Sequence, residues 1–150
     1  MDARSSYREA AVRGATPVQL VIFLYEQTIE DLRRAVLALE KRDIEARTRS
    51  INHALSVIAQ LQGSLDMERG GEVARNLQRF YNGMRASLSE AQLKQSARIL
   101  EQQIEQLVLV REAWLEVDLA TAQTSQLPVE ATPLRPPISS QESSSSEWNA

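Results

Sequence analysis

The chain has 150 residues, with 17 basic and 20 acidic side chains and a net charge of −3. That is enough for one domain with its own core, and the absence of cysteine excludes a disulfide framework and thiolate chemistry. No basic stripe suited to a nucleic-acid backbone is visible. The longest apolar run, Leu20 to Tyr25, is far too short for a membrane span. The start, Met1-Asp2-Ala3-Arg4, lacks the apolar stretch of a signal peptide. Residues 1–118 are poor in glycine and proline and rich in Ala, Leu, Gln, Glu and Arg, a helix-forming mixture.

Residues 1–15 read as a short N-terminal cap segment. Tyr7, Ala10 and Ala11 share a face if it is helical, with Val12 alongside. One or two turns cannot hold themselves in water, so the piece must dock or stay mobile. The first long helix opens at Thr16-Pro17-Val18-Gln19, where Thr16 can cap, Pro17 suits the first helical position and Gln19 can close a capping box. It is predicted to reach about Glu40, roughly 36 Å at 1.5 Å per residue. Val21, Leu24/Tyr25, Thr28, Leu32, Ala35 and Leu39 form one stripe. Val18, Ile22, Ile29 and Val36 form a second, and Phe23 stands on another side. A bundle helix needs only one wide stripe.

Asp43 is a plausible cap for the second helix, whose stripe is Ile44, Ile51, Leu55, Ile58 and Leu65 with Ala54, Val57 and Leu61 beside it. Gly70 and Gly71 mark a corner at which the backbone can take positive φ. Val73, Leu77, Phe80 and Met84 then leave on one face of a third helix, expected to end near Ser89. The fourth is the most regular: Leu93, Ala97, Leu100, Ile104, Leu107, Arg111 and Trp114 alternate steps of four and three, with an end expected near Val117. Beyond it, prolines and a serine-rich run make residues 119–150 a tail expected to be disordered. The fold class is therefore all-α. Residues 16–118 are expected to form an antiparallel up-down-up-down four-helix bundle, between the cap segment and the tail.

Little here suggests chemistry. His53 is the sole histidine and could accept a phosphoryl group, but Val57 crowds it one turn on and no lysine follows within the next turn. A structural histidine is the plainer account. A bundle di-iron site needs Glu-x-x-His pairs, and Ser50 stands three residues before His53. No phosphate-binding glycine loop occurs. The chain is expected to be no enzyme and to hold no metal or cofactor. Arg111 on the fourth helix's apolar seam is expected near the bundle end, its stem buried and its head in water, where it could pair with a partner's charge. The informative signal is surplus apolar surface. Val18, Ile22 and Phe23, Val57, and Ile99 and Val110 exceed what one four-helix core needs, and contiguous exposed apolar surface marks interaction sites. With Tyr7 and Val12 of the cap segment, they are the candidate residues for binding a partner helix or extended segment.

The chain resembles the flagellar secretion chaperones of the FliS family. The resemblance rests on Thr16-Pro17-Val18-Gln19-Leu20-Val21, Leu24-Tyr25-Glu26 and Ser50-Ile51-Asn52. Its densest part is Leu65-Asp66-Met67-Glu68-Arg69-Gly70-Gly71-Glu72-Val73-Ala74-Arg75-Asn76-Leu77 with Phe80-Tyr81 and Met84, and Glu112-Ala113-Trp114 closes it. It covers about residues 5–118 and implies a cytoplasmic helical bundle that binds the disordered C-terminal segment of flagellin. The client would be kept from polymerising and competent for flagellar type III secretion. The resemblance also associates the Tyr7 segment with covering the client groove, although the tyrosine-rich start of the family is reduced here to Tyr7 alone. Contact with the export apparatus and a monomer or weak homodimer are compatible with it. An adaptor for another flagellar protein, or a phosphotransfer module at His53, are the alternatives.

Overall fold

In the computed structural model, residues 14–126 are described, and they hold four helices and no strand. We name them α1 (Pro17–Glu40), α2 (Ile44–Gly63), α3 (Gly71–Lys94) and α4 (Ala97–Gln126). Tyr7, Val12 and the tail beyond residue 126 lie outside the described part.

The helix ends follow from local chemistry. The Thr16 hydroxyl accepts from the Gln19 amide, and the Gln19 side chain accepts from the Thr16 amide, the expected capping box. Asp43 caps α2 by accepting from the Ala46 amide. Between them α1 closes with a six-to-one bond from the Asp43 amide to the Ala38 carbonyl and one from Arg42 to Leu39. That is a Schellman ending, which needs a left-handed residue. Arg42 supplies it at φ 57°, where glycine is the usual occupant.

At the α2–α3 corner the two glycines do different work. Gly71 takes φ 55°, but Gly70 sits at φ −75° and is needed for space. A Cβ there would come within 2.5 Å of the Ala74 Cβ and 2.7 Å of the Asp66 carbonyl oxygen. The expectation of positive φ therefore holds at Gly71 only. Asp66 organises the turn: its carboxylate accepts from the amides of Glu68 and Arg69, and its carbonyl accepts from the Gly70 amide.

Two expected boundaries move. Helix α3 runs to Lys94, five residues past Ser89, and ends at Gln95 in a left-handed conformation, φ 53°. Leu93 therefore belongs to the last turn of α3, where it is 83% exposed, and not to the α4 seam. Helix α4 starts at Ala97 and continues to Gln126, past the expected end near Val117. Ser96 caps it by accepting from the Ile99 amide. Among the described residues the compact body runs to Leu115, and residues 116–126 belong to a second unit.

Short connections make each helix antiparallel to the next. Cross-bundle contacts confirm the order. Tyr25 of α1 meets Tyr81 of α3, Asp31 of α1 meets His53 of α2, and Thr48 of α2 meets Gln92 of α3. Glu26 of α1 lies 3.9 Å from Arg111 of α4. The core joins Leu24, Tyr25, Ile29, Leu32 and Ala35 with Ile51, Ala54, Val57, Ile58 and Leu61. Tyr81, Met84, Leu88, Ala91, Leu100 and Leu107 complete it. Each large apolar side chain so buried contributes roughly 1.5–3 kcal/mol. Cavities open at the two opposite ends of the bundle, one at the glycine corner and one where α1, α2, α3 and α4 meet at Leu39, Arg47, Gln95 and Ala97.

Candidate client groove at the glycine corner

The turn held by Asp66 brings the end of α2 and the start of α3 together without filling the space between them. The result is a cavity of about 240 Å³. Leu61 enters from α2, Leu65 from the corner just past its end, Val73, Ala74, Leu77 and Tyr81 from α3, Val21 from α1 and Trp114 from α4. Ser64 and Asp66 are the polar lining groups, and both are already engaged. The Ser64 hydroxyl donates to the Leu61 carbonyl, and Asp66 holds its own turn. Gly70 gives the backbone access on one side. At the lip Val73 is 65% exposed, and Met67 on the preceding turn is exposed as well.

The floor is rigid. The Tyr25 and Tyr81 hydroxyls share a buried hydrogen bond of 2.8 Å, and their rings meet edge to face with centroids 6.3 Å apart. Burial pushes the Tyr25 phenol above its usual pKa, with hydrogen bonds to Tyr81 and Trp114 acting the other way. Tyr81 is raised by burial and by Tyr25 beside it. Both phenols are therefore neutral structural groups at neutral pH. Beneath them the Thr28 hydroxyl is satisfied by the Leu24 carbonyl at 2.9 Å. An apolar recess with a fixed aromatic floor can seat a large side chain from a partner segment.

The residues singled out by apolar surplus divide into three groups. Val18 on the first turn of α1 is half-buried. Phe23, Ile99 and Val110 are half-buried and packed on the outside of the core. Ile99 and Val110 stand eleven positions apart on α4, roughly 16 Å, so they do not share one recess. Ile22, at 7% exposure, and Val57, at 0%, are interior. These two are corrections. Val57 belongs to the core cluster that joins residues of all four helices. Sequence reasoning missed Leu65, Val73, Leu77 and Trp114 as groove residues. It assigned them to core stripes, and only the exposure of Val73 beside a glycine corner signals otherwise.

His53 is closed to phosphoryl transfer. Its Nδ1 donates to Asp31 Oδ2 at 2.5 Å, and its Nε2 is buried without a partner. Asp31 is itself buried, also bound by Arg34 at 3.2 Å, and burial raises its pKa despite the opposing pull of His53 and Arg34. Arg111 is spent within the molecule, its guanidinium 3.9 Å from Glu26 and 3.8 Å from Glu112, with Nε buried. Among the described residues no group of three or more His, Asp or Glu side chains could hold a metal ion, and no helix is long and apolar enough to cross a membrane.

Residues 1–121 match the family model described as flagellar protein FliS. The chain is similar to the flagellar secretion chaperone FliS of Salmonella typhimurium, 36% identical over 110 residues, which span 73% of this chain and 82% of that protein. It is likewise 36% identical over 106 residues to the flagellar secretion chaperone FliSB of Pseudomonas aeruginosa, covering 71% and 84% of the two chains. To the FliS chaperone of Campylobacter jejuni it is 30% identical over 115 residues, 77% and 90% of the two. With its four antiparallel helices turning at an Asp-anchored glycine corner, the chain belongs to the FliS family of flagellar proteins.

Proposed function

We propose that the protein is a flagellar export chaperone that acts in the cytoplasm on the C-terminal segment of flagellin. It would bind that segment as the segment folds, block premature polymerisation and deliver the subunit to flagellar type III secretion. The relatives at 36% identity are named flagellar secretion chaperones, which supports the role. The observation that carries the binding mode is the apolar recess at the glycine corner, open beside an exposed Val73.

The energetics suit a disordered client. Ordering such a segment costs about 2–5 kcal/mol. One large apolar side chain seated in the recess returns roughly 1.5–3 kcal/mol. A few further anchors on half-buried Val18, Phe23, Ile99 and Val110 make binding favourable without reactive groups. An amphipathic segment laid along helices of about 36 Å can reach several of them.

The test is a pull-down with full-length flagellin against flagellin lacking its C-terminal segment. Capture of the full-length protein alone is expected. Equal capture of both would refute the assignment, and capture of a different flagellar protein in place of flagellin would turn the reading toward an adaptor.

A further inference from the structure

We propose that the opposite end of the bundle is a second binding site, which takes an acidic residue from a peptide segment of a partner protein. It is independent of the client groove. The cavity there has a volume of about 580 Å³ and is lined by Arg42 and Arg47, with Leu39 and Ile44 as apolar neighbours and Glu40 as its one acidic group.

Arg47 is the decisive residue. It is 7% exposed, and its Nε donates to the Gln92 side-chain oxygen at 3.2 Å. Gln92 is held in turn by donating to the Thr48 hydroxyl at 2.8 Å. This pair of bonds engages Nε, and among the described residues the two terminal nitrogens of this cavity-lining arginine have no hydrogen-bond partner. Among the described residues neither Arg42 nor Arg47 has a carboxylate partner. A buried guanidinium cannot shed its charge, and leaving it without a counter-charge is costly. The two free nitrogens match a carboxylate bidentately.

Backbone conformation points the same way. Arg42 and Gln95 are the two non-glycine residues with positive φ among those described, and both line this cavity. Glycine would fit either position with less strain. The start of α4 at Ala97 adds the positive end of a helix. Around the mouth Ile44 is 64% exposed, and Leu93 on the adjoining turn of α3 is 83% exposed. A free anion has no use for that apolar rim, whereas an acidic residue flanked by leucines in a peptide does.

The experiment follows the arginine side-chain Nε–H signals of the ¹⁵N-labelled full chain by NMR. The probes are the peptide acetyl-Leu-Glu-Glu-Leu-Leu-Glu-amide, its analogue with every Glu replaced by Gln, sodium acetate and inorganic phosphate. The acidic peptide is expected to move the Arg47 and Arg42 signals saturably, and the Gln peptide to bind roughly tenfold more weakly, the loss of one charge-assisted pair. Arg47→Gln is expected to remove the response. Arg42→Gly keeps the fold, because glycine suits φ 57°, yet is expected to weaken binding about fivefold or more. Equal binding of the two peptides, no saturable shift at millimolar peptide, or an Arg42→Gly variant that binds like wild type would each overturn the proposal. So would acetate or phosphate matching the peptide in affinity.

Discussion

Val57 and Val73 are the same residue type in opposite surroundings, and a matched pair of alanine substitutions separates core from contact. Val57 has 0% exposure and packs inside the four-helix core. Truncation to alanine removes two methyl groups, about 1.6 kcal/mol at about 0.8 kcal/mol per carbon. The unfilled space adds to this, giving about 2 kcal/mol in all. For a body of this size that is a fall in melting temperature of about 8 °C. Val73 is 65% exposed at the lip of the recess, so Val73→Ala is expected to change stability by less than about 0.5 kcal/mol. Its effect appears only when a client covers it: about a tenfold loss of affinity if the valine becomes fully buried on binding. Circular dichroism melts and titration calorimetry with the C-terminal flagellin segment read the two effects on the same samples. A Val57→Ala protein melting within about 2 °C of wild type would refute the burial argument, as would a Val73→Ala protein that loses its fold.

The Tyr25–Tyr81 hydrogen bond is predicted to be strongly non-additive. Tyr25→Phe strands the buried Tyr81 hydroxyl and costs about 1–3 kcal/mol, whereas Tyr81→Phe leaves Tyr25 its bond to Trp114 and costs less, and adding Tyr81→Phe to Tyr25→Phe recovers most of the loss in denaturant titrations. A double variant equal to the sum of the singles would contradict this. Asp31 gives a pH test. Because burial raises its folded pKa, the folded chain holds the proton more tightly than the unfolded chain does, and ionisation costs stability as pH rises from the ordinary carboxylate value through the raised one. The unfolding free energy of wild type minus that of Asp31→Asn is expected to fall across that window when measured from about pH 3 to 6. A difference that rises instead would show that the ion pairs to His53 and Arg34 dominate. Arg42→Gly relieves a left-handed residue at about 1–2 kcal/mol and gives back part of that in backbone entropy. The net gain is about 0.5–1 kcal/mol in thermal melts, and a destabilised variant would contradict it.

The helices were legible because their signals are local. The Thr16–Gln19 capping box, the Asp43 cap and the glycine corner each specify an end within a few residues. Boundaries lacking such a marker moved. Nothing in Leu93 itself says whether it closes α3 or opens α4, and the decision falls to Gln95, a residue with no special claim to a left-handed conformation. The site was legible only as a surplus. Apolar counting finds too many greasy side chains but not which of them are covered, since burial depends on neighbours far along the chain. Val57 lies wholly inside the core that joins the four helices, while Val73 stands exposed at the lip of the recess. Asp31 was invisible for the same reason, because its significance lies in a bond to His53 twenty-two residues away.

The central claim is that the recess at the glycine corner seats part of a client's disordered end. Methyl NMR of the labelled full chain during titration with the C-terminal flagellin segment addresses it directly. The methyl signals of Val21, Leu65, Val73 and Leu77 are predicted to shift saturably with the stoichiometry of binding. Tight binding that leaves all four unmoved would contradict the account.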